Sequence, residues 1–294
     1  MIIKSSEMQK LVDLYSLTKP GVLFVNVLTG AAGYFFAAAG RIEWWTFLSL
    51  IVGMTLVVAA SCALNNILDR DIDIRMERTR SRPSVKKSLS QFEMYVFVAA
   101  LYSLGFALLM TGTNRTVVTI GVIGSIIYVW LYGMFTKRRS PYGVVPGSVS
   151  GAMPIIGGYA AVHPSIDWIM VALFFIMYFW QFPEFLSIAI YRLKEYKAAN
   201  LPVFSVVYGV KNTIYVIVVT TVFYVIATLS VTLLGATGWV YFGVMLVAGL
   251  WWIIIAVRGL KTKQPNVWAR TMFGRSMVHI LIVVIMLSVG PLLP

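Results

Sequence analysis

Runs of apolar residues, each about twenty long, alternate with short polar segments along the whole 294-residue chain. They fall at about 20–39, 46–66, 92–111, 116–135, 142–162, 168–190, 213–234, 238–257 and 274–292. In hydrocarbon, backbone N–H and C=O groups must be satisfied by the chain itself, so a spanning segment is a helix or part of a closed barrel. A helix needs ~20 apolar residues to cross, whereas a barrel strand needs ~10 in alternation. The pattern therefore predicts an all-α membrane protein, a bundle of nine transmembrane helices folded as a single domain over 1–294. The first run has the outline of a signal peptide, with Lys4, Lys10 and Lys19 before it and AAAG at its end. It is longer than an ordinary signal core, and a cleaved leader would leave the later loop charges unexplained.

Composition agrees with the pattern. The chain is 59% hydrophobic and only 12% charged, with a mean hydropathy of +0.83. A soluble domain carries about twice that charged fraction. The net charge of +13 could suggest a nucleic-acid partner, but its placement argues against one. With the N-terminus cytoplasmic, 22 of the 24 lysines and arginines fall in inner segments, and only Arg41 and Arg115 lie outside. That asymmetry is the positive-inside signature of a multi-pass protein of the cell inner membrane, and one span more or fewer would scramble it. Basic loops on that side also suit anionic lipid. A single cysteine, Cys62, rules out an intrachain disulfide and makes a thiolate metal cluster a poor fit.

The chemistry gathers in two inner segments, about 65–91 and 184–212. The first begins NNILDRDIDIRMERTRSRP and holds four of the chain's eleven acidic residues beside five arginines. Carboxylates hold Mg²⁺ through oxygen, and guanidinium forks hold phosphate oxygens, so the mixture suits a metal-bound polyphosphate. Continued as a helix, the segment would stack Asn66, Asp69, Asp73 and Glu77 on one face and put Asp71 on the other. A solvated loop that merely fixes topology would also be charged, but it would not need this order.

The second segment is WQFPEFLSIAIYRLKEYKAANLPVF, from Trp180 to Phe204. Glu184 lies inside an apolar run, and an ionisable residue at that depth is a functional candidate by default. On an unbroken helix Glu184 and Glu195 share a face but stand ~16 Å apart, too far to share one ion. Either they do different work, or Pro183 and the residues after it bend the path. Arg192 and Lys194 could bind phosphate or mark the membrane edge. Asn26, polar at membrane depth, could line a cavity or bond to a neighbouring helix. Tyr128 and Tyr132, four apart, could line a cavity or anchor at the interface. His163 reads as a solvated loop residue. His279, inside the last run, reads as a satisfied hydrogen-bonding residue.

Two acidic sites with basic neighbours suggest one substrate held between them. A diphosphate ester on a lipid tail fits, with the tail between helices and the head group at the loops. Metal and arginines would stabilise the departing diphosphate, and no protein nucleophile is needed.

The pattern NN-x-x-D-R-D-x-D followed by R-T-x-x-R-P resembles the first aspartate-rich motif of the UbiA superfamily of intramembrane prenyltransferases. Within it the chain is most similar to the protohaem IX farnesyltransferase (haem O synthase) family. The likeness runs through LTKPGVLFVNVLTGAAGYFFA, YGMFTKRRSPYGVVPGSVSGAMPIIGGYAAV, IAIYRLKEYKAANLPVF and WARTMFGRS, almost the whole chain. The resemblance implies a nine-helix bundle around a central cavity with both motif loops on the cytoplasmic side. It implies Asn66, Asp69 and Asp73 at the metal–diphosphate positions, with Asn65 opening the motif. Arg70, Arg78 and Arg82 match its basic partners, Lys137 and Arg138 a diphosphate-contacting pair, and Arg192 and Glu195 the second motif. It implies Mg²⁺ as cofactor, farnesyl diphosphate and haem B as substrates, and a terminal oxidase or haem A synthase as downstream partner; with haem as substrate, an axial haem ligand becomes the rival reading of His279. The reaction implied joins farnesyl C1 to a vinyl group of haem B, adds water and releases diphosphate.

Two positions depart from that pattern. Pro183–Glu184 stands where the family usually has a proline–histidine pair, and Ser205 where a second proline is usual. The rival readings are a UbiA-type enzyme acting on an aromatic or quinone-precursor acceptor, and a transporter of an anionic lipid or metabolite. A transporter predicts paired, broken helices in inverted halves, and no such pair is visible in the sequence.

Overall fold

The computed structural model describes residues 5–77, 79–86 and 88–294, and among these every element is helical. The chain runs α1 (Ser5–Leu17), α2 (Pro20–Ala38), α3 (Trp44–Leu68), α4 (Arg70–Asp73), α5 (Pro83–Lys86), α6 (Gln91–Gly112) and α7 (Arg115–Ile126). A π-helix, Ile127–Thr136, joins α7 to the short α8 (Lys137–Arg139). Then come α9 (Val144–Ala160), α10 (Trp168–Tyr191), α11 (Leu193–Ala198), α12 (Phe204–Val207), α13 (Gly209–Leu233), α14 (Trp239–Arg258) and α15 (Pro265–Val289).

Among the described residues eight helices, not the expected nine, are long and apolar enough to cross a membrane: α2, α3, α6, α7 with its continuation to Arg139, α10, α13, α14 and α15. The difference lies at 142–162. There α9 has 17 residues, ~26 Å at 1.5 Å per residue, short of a ~30 Å hydrocarbon core. It is nonetheless well inside the bundle, packed against α2, α7 and α10. Its small residues explain how. A Cβ on Gly33 would collide with the Ile155 carbonyl, and one on Gly158 with the Gly30 carbonyl, so α2 and α9 meet backbone to backbone. Small residues at helix contacts are the usual means of such approach in lipid.

Two groups of helices result. One is α2, α3, α6, α7 and α9; the other is α10, α13, α14 and α15, joined to the first through α9–α10 and α2–α15. Side-chain caps set several starts. Ser90 and Glu93 form a reciprocal capping box on α6, Asn114 caps α7 and Asp167 caps α10. Each leaves fewer orphan N–H groups at a membrane surface.

Three stretches differ from the apolar pattern. The helix α15 starts at Pro265, well before 274, because proline is pre-formed for a first helical position and Trp268, Ala269 and Met272 are buried. Both α1 and α11 escape a search for long apolar runs. Leu14 and Leu17 of α1 pack on Leu89, Met94 and Val98. Its Lys10 pairs with Glu93 at 2.6 Å, in the open, where such a pair contributes little.

Candidate active site

The first motif does not continue as a helix. The helix α3 ends at Leu68, and Asp69 sits at φ −87°, ψ 6° before the four-residue turn of α4. The sequence expectation of one long acidic face is corrected here. Asn66, Asp69 and Asp73 are buried, but Glu77 falls in an exposed turn and leaves the set. The break does keep Asp69 and Asp73 together, since the Asp73 amide donates to the Asp69 carbonyl at 2.9 Å.

Each aspartate is held by a cation. Lys137 Nζ reaches Asp69 Oδ2 at 2.6 Å, with Arg138 3.5 Å from the other oxygen. Arg82 Nη1 reaches Asp73 Oδ2 at 2.6 Å. Arg138 also forms a fork on Asp71, at 2.7 and 2.8 Å, and donates to the Leu68 carbonyl at the end of α3. That guanidinium holds the Asp71 carboxyl below its ordinary range. Arg70 is half-buried and makes no ion pair among the described residues. Arg78 lies outside the described residues.

The asparagines are fixed from behind. Asn66 Nδ2 donates to the Leu17 carbonyl at 2.8 Å, capping the end of α1. Its Oδ1 is buried and has no hydrogen-bond partner among the described residues. Asn65 Oδ1 accepts from Lys19 Nζ at 2.7 Å. Gly133 of the π-helix makes room for Asn65, because a Cβ there would lie 2.8 Å from its Nδ2. The wider turn of a π-helix, common at functional sites, also places Lys137 at its end, with the Lys137 amide donating to the Tyr132 carbonyl.

In the sequence Lys19 counts only as a topology charge, and the structure gives it a further place. It sits at φ 56° between α1 and α2, a left-handed conformation that a residue before proline rarely adopts. The turn directs its ammonium onto Asn65 and, at 3.3 Å, onto the Tyr128 hydroxyl. Burial, with Arg82 and Lys137 nearby, lowers Lys19 from 10.5 to about 8. The available signal is its position in the LTKPGV block, directly before a helix-starting proline.

Lys19 and Arg82 stand at the wall of a cavity of about 530 Å³ between the two helix groups. Asp73 is paired with Arg82, whereas Asp69 and the cations that hold it, Lys137 and Arg138, do not themselves line the cavity. Beyond them the lining is mostly apolar, including Met54, Leu109, Met177, Trp180 and Met277. Asn26, Tyr128 and Glu184 all line it. Asn26 Nδ2 satisfies the Val22 carbonyl of its own helix at 2.7 Å. Tyr128 stacks on Tyr132 at 6.0 Å, and Tyr132 packs on the other side, against α9 at Gly147. Glu184 makes no hydrogen bond or ion pair among the described residues. Gln181, one turn before it, is spoken for by the Ser148 and Met177 carbonyls.

The path through the second motif is settled by its helix break. The helix α10 runs unbroken through Pro183 and ends at Tyr191, with Arg192 at φ −105°, ψ 21° leading into α11. Glu184 and Glu195 thus lie on different helices. Arg192 Nη1 pairs with Glu195 Oε1 at 2.6 Å, leaving Glu195 Oε2 buried and without a partner among the described residues. Neither lines the cavity. The motif loops are joined instead by a small apolar cluster of Ile72 and Met76 with Ala199 and Leu201. Ser205 is buried and ties α12 to the Ala189 carbonyl at 2.8 Å.

The histidines stand apart. His163 is exposed, against Tyr159. His279 is fully buried and stacked near Trp251 and Trp252, with ring centroids 5.4 and 4.4 Å away. Among the described residues neither ring nitrogen has a hydrogen-bond partner, so the expected intrabundle bond is not seen there. His279 does not line the cavity.

Among the described residues no three carboxylate, imidazole or thiolate groups converge as a metal site. The oxygen set of Asn66, Asp69 and Asp73 still fits Mg²⁺, which takes one or two carboxylates and completes its octahedron with water and substrate phosphate. The buried, unpartnered Asn66 Oδ1 is the observation that favours this fit.

Comparison with known proteins decides the family. The UbiA prenyltransferase family matches residues 26–282. The chain belongs to the UbiA prenyltransferase family. A relative from Serratia proteamaculans (strain 568), named protoheme IX farnesyltransferase, is 42% identical over 276 residues, 93% of this chain and 92% of the relative. One from Pseudomonas putida (strain W619), protoheme IX farnesyltransferase 2, is 40% identical over 273 residues, 93% and 92% of the two chains. The fold is that of solved family structures. A digeranylgeranylglyceryl phosphate synthase has a TM-score of 0.80 at 21% identity, covering 96% of this chain and 99% of its own. A UbiA homologue from Archaeoglobus fulgidus bound to DMAPP and Mg²⁺ has 0.72 at 18%, covering 94% and 99%. Like them, this UbiA family member is a multi-pass membrane protein built of helices.

Proposed function

We propose that this UbiA prenyltransferase transfers the farnesyl group of farnesyl diphosphate to a vinyl group of protohaem IX, adds water and releases diphosphate, so making haem O. The observation that carries the reading is the 40–42% identity, over more than nine-tenths of both chains, to protoheme IX farnesyltransferases. The cavity is consistent with it, polar and cationic at one end and apolar along the rest.

In this reading the diphosphate lies against Lys19, Arg82, Lys137 and Arg138. These side chains now satisfy Asn65, Asp69, Asp71 and Asp73, and they would turn part of that hydrogen bonding to the ligand. Asn66 Oδ1, Asp69 and Asp73 would hold Mg²⁺, which when bound supplies positive charge to the leaving diphosphate. Cations fixed before substrate arrives stabilise charge as it develops on the leaving oxygen. Apolar walls keep water from the allylic carbon until the acceptor has reacted. Arg192 and Glu195 close the motif end from the second loop. Tyr128 and Asn26 give the mouth its polar edge. We place the motif face on the cytoplasmic side of the cell inner membrane, on the 22-to-2 distribution of basic residues.

The test is diphosphate release by the purified protein given farnesyl diphosphate. The reading expects release that needs both Mg²⁺ and haem B. Release that is indifferent to haem but stimulated by an aromatic acceptor would replace it with the other prenyltransferase reading.

A further inference from the structure

The carboxylates of the motif ends are nearly all committed to cations. Asp69, Asp71, Asp73 and Glu195 each hold a lysine or arginine at 2.6–2.8 Å. A carboxylate already gripped in this way is a poor proton acceptor. Glu184 differs. It lines the cavity, has no cation beside it, and has no hydrogen-bond partner among the described residues. It stands seven residues before the end of α10, ~10 Å below the motif face along the helix axis. The lining also includes Trp180, Phe185, Phe273 and Met277, so its carboxylate faces a chamber that is mostly apolar away from Lys19 and Arg82. An ionisable group kept in such a place is costly unless it is used.

The reaction proposed above has a step for which none of the committed groups is free. When the C1–O bond of farnesyl diphosphate breaks, its electron pair leaves with the diphosphate. The vinyl π electrons then form the new bond to C1, and the cation is left on the vinyl carbon beside the porphyrin ring. Water adds its oxygen to that carbon, and one of its protons must go to a base. We propose that Glu184 is that base, taking the proton from the water that quenches the cation. The balance needs only water, with nothing oxidised or reduced. This inference rests on the haem-farnesylating reading, and it assigns Glu184 a catalytic role rather than general cavity lining.

The test is Glu184→Gln in the full-length purified protein, with farnesyl diphosphate, haem B and Mg²⁺ in heavy-oxygen water. Diphosphate release and the masses of all porphyrin products are followed together. The parent chain should give a farnesylated haem carrying the heavy oxygen. Glu184→Gln should still release diphosphate and form the carbon–carbon bond, more slowly. Its hydrated product should fall about a hundredfold relative to one lighter by a water, formed by loss of a neighbouring proton. Hydrated product in the parent proportion would overturn the assignment. So would loss of diphosphate release in a folded variant, which would put Glu184 in substrate binding. If the parent itself releases diphosphate but makes no farnesylated porphyrin, the haem reading fails, and this inference with it. Should Glu184→Gln not fold, Glu184→His carries the test. Imidazole can accept the proton only while neutral, so the hydrated fraction should drop as pH falls through about 6.5. A hydrated fraction that does not change with pH in that variant would equally overturn the role.

Discussion

Replacing Asp69 by asparagine keeps the shape of the site and removes one charge. In the structure that charge is fully buried and holds Lys137 at 2.6 Å, with Arg138 at 3.5 Å. At an effective dielectric of about 20, two unit charges ~4 Å apart attract by about 4 kcal/mol. Much of this is recovered in the variant. Lys137 and Arg138 are 20% and 23% exposed, so water reaches both, and Arg138 keeps its fork on Asp71. The net loss of stability should be about 1–2 kcal/mol. Melting should therefore drop by only about 2–8 °C. On the proposed reading catalysis should suffer much more, because a charged oxygen ligand for Mg²⁺ and the fixed position of Lys137 would be lost together. A preorganised electrostatic group of this kind is worth a factor of about 10²–10³. The assay pairs thermal unfolding of detergent-purified protein with diphosphate release at saturating substrate. Turnover within tenfold of the parent, from folded protein, would refute the metal–diphosphate assignment. Melting lowered by more than about 15 °C would instead show that Asp69 is chiefly structural.

The Lys19 ammonium, brought down to about 8 by burial, is charged below that pH and neutral above it, so kcat/KM for farnesyl diphosphate should fall tenfold per pH unit above about 8. Lys19→Arg should lose that alkaline limb, and an unchanged limb would show that another group produces it. Gly133→Ala would set a methyl 2.8 Å from Asn65 Nδ2, and should cost about 1–3 kcal/mol of stability together with a raised KM for farnesyl diphosphate. A raised KM without any loss of stability would mean that Asn65 yields freely and that the close contact stores nothing. Chelation of divalent ions should stop turnover and leave the melting temperature of the substrate-free protein nearly unchanged, since no described structural cluster depends on metal; a large drop in melting would count against a metal that arrives with substrate.

How much of the molecule was legible in the sequence depends on what each element rests on. Long spans are set by apolar length alone, and α2, α3, α6, α10 and α13 lie where the apolar runs put them. The helix α9 is different. Its glycines and prolines shorten it, and only its neighbours show that it is a buried packing element. The aspartate motif was readable as a cluster because carboxylates are so scarce in this chain. Its helical continuation was not, because a stop at Leu68 depends on Arg138 capping that carbonyl from 70 residues away. Lys19 hid among topology charges, since its role depends on a left-handed turn and on Asn65 across the bundle. The pairing of Arg192 with Glu195 rather than with the first motif likewise needed the break after Tyr191 to be seen. His279 was placed at a plausible depth, but its stacking on tryptophans of α14 is a contact that periodicity cannot reveal.

The most direct test of the central claim is the pigment made in a cell. The chain would be expressed in a bacterium lacking its own haem O synthase, and the haems extracted, separated and weighed by mass spectrometry. The account predicts a new haem heavier than haem B by a hydroxylated farnesyl group, absent when Asp69→Asn is expressed to the same level. Haem B alone, from parent protein shown to be folded in the membrane, would contradict it and would direct the search to a different acceptor.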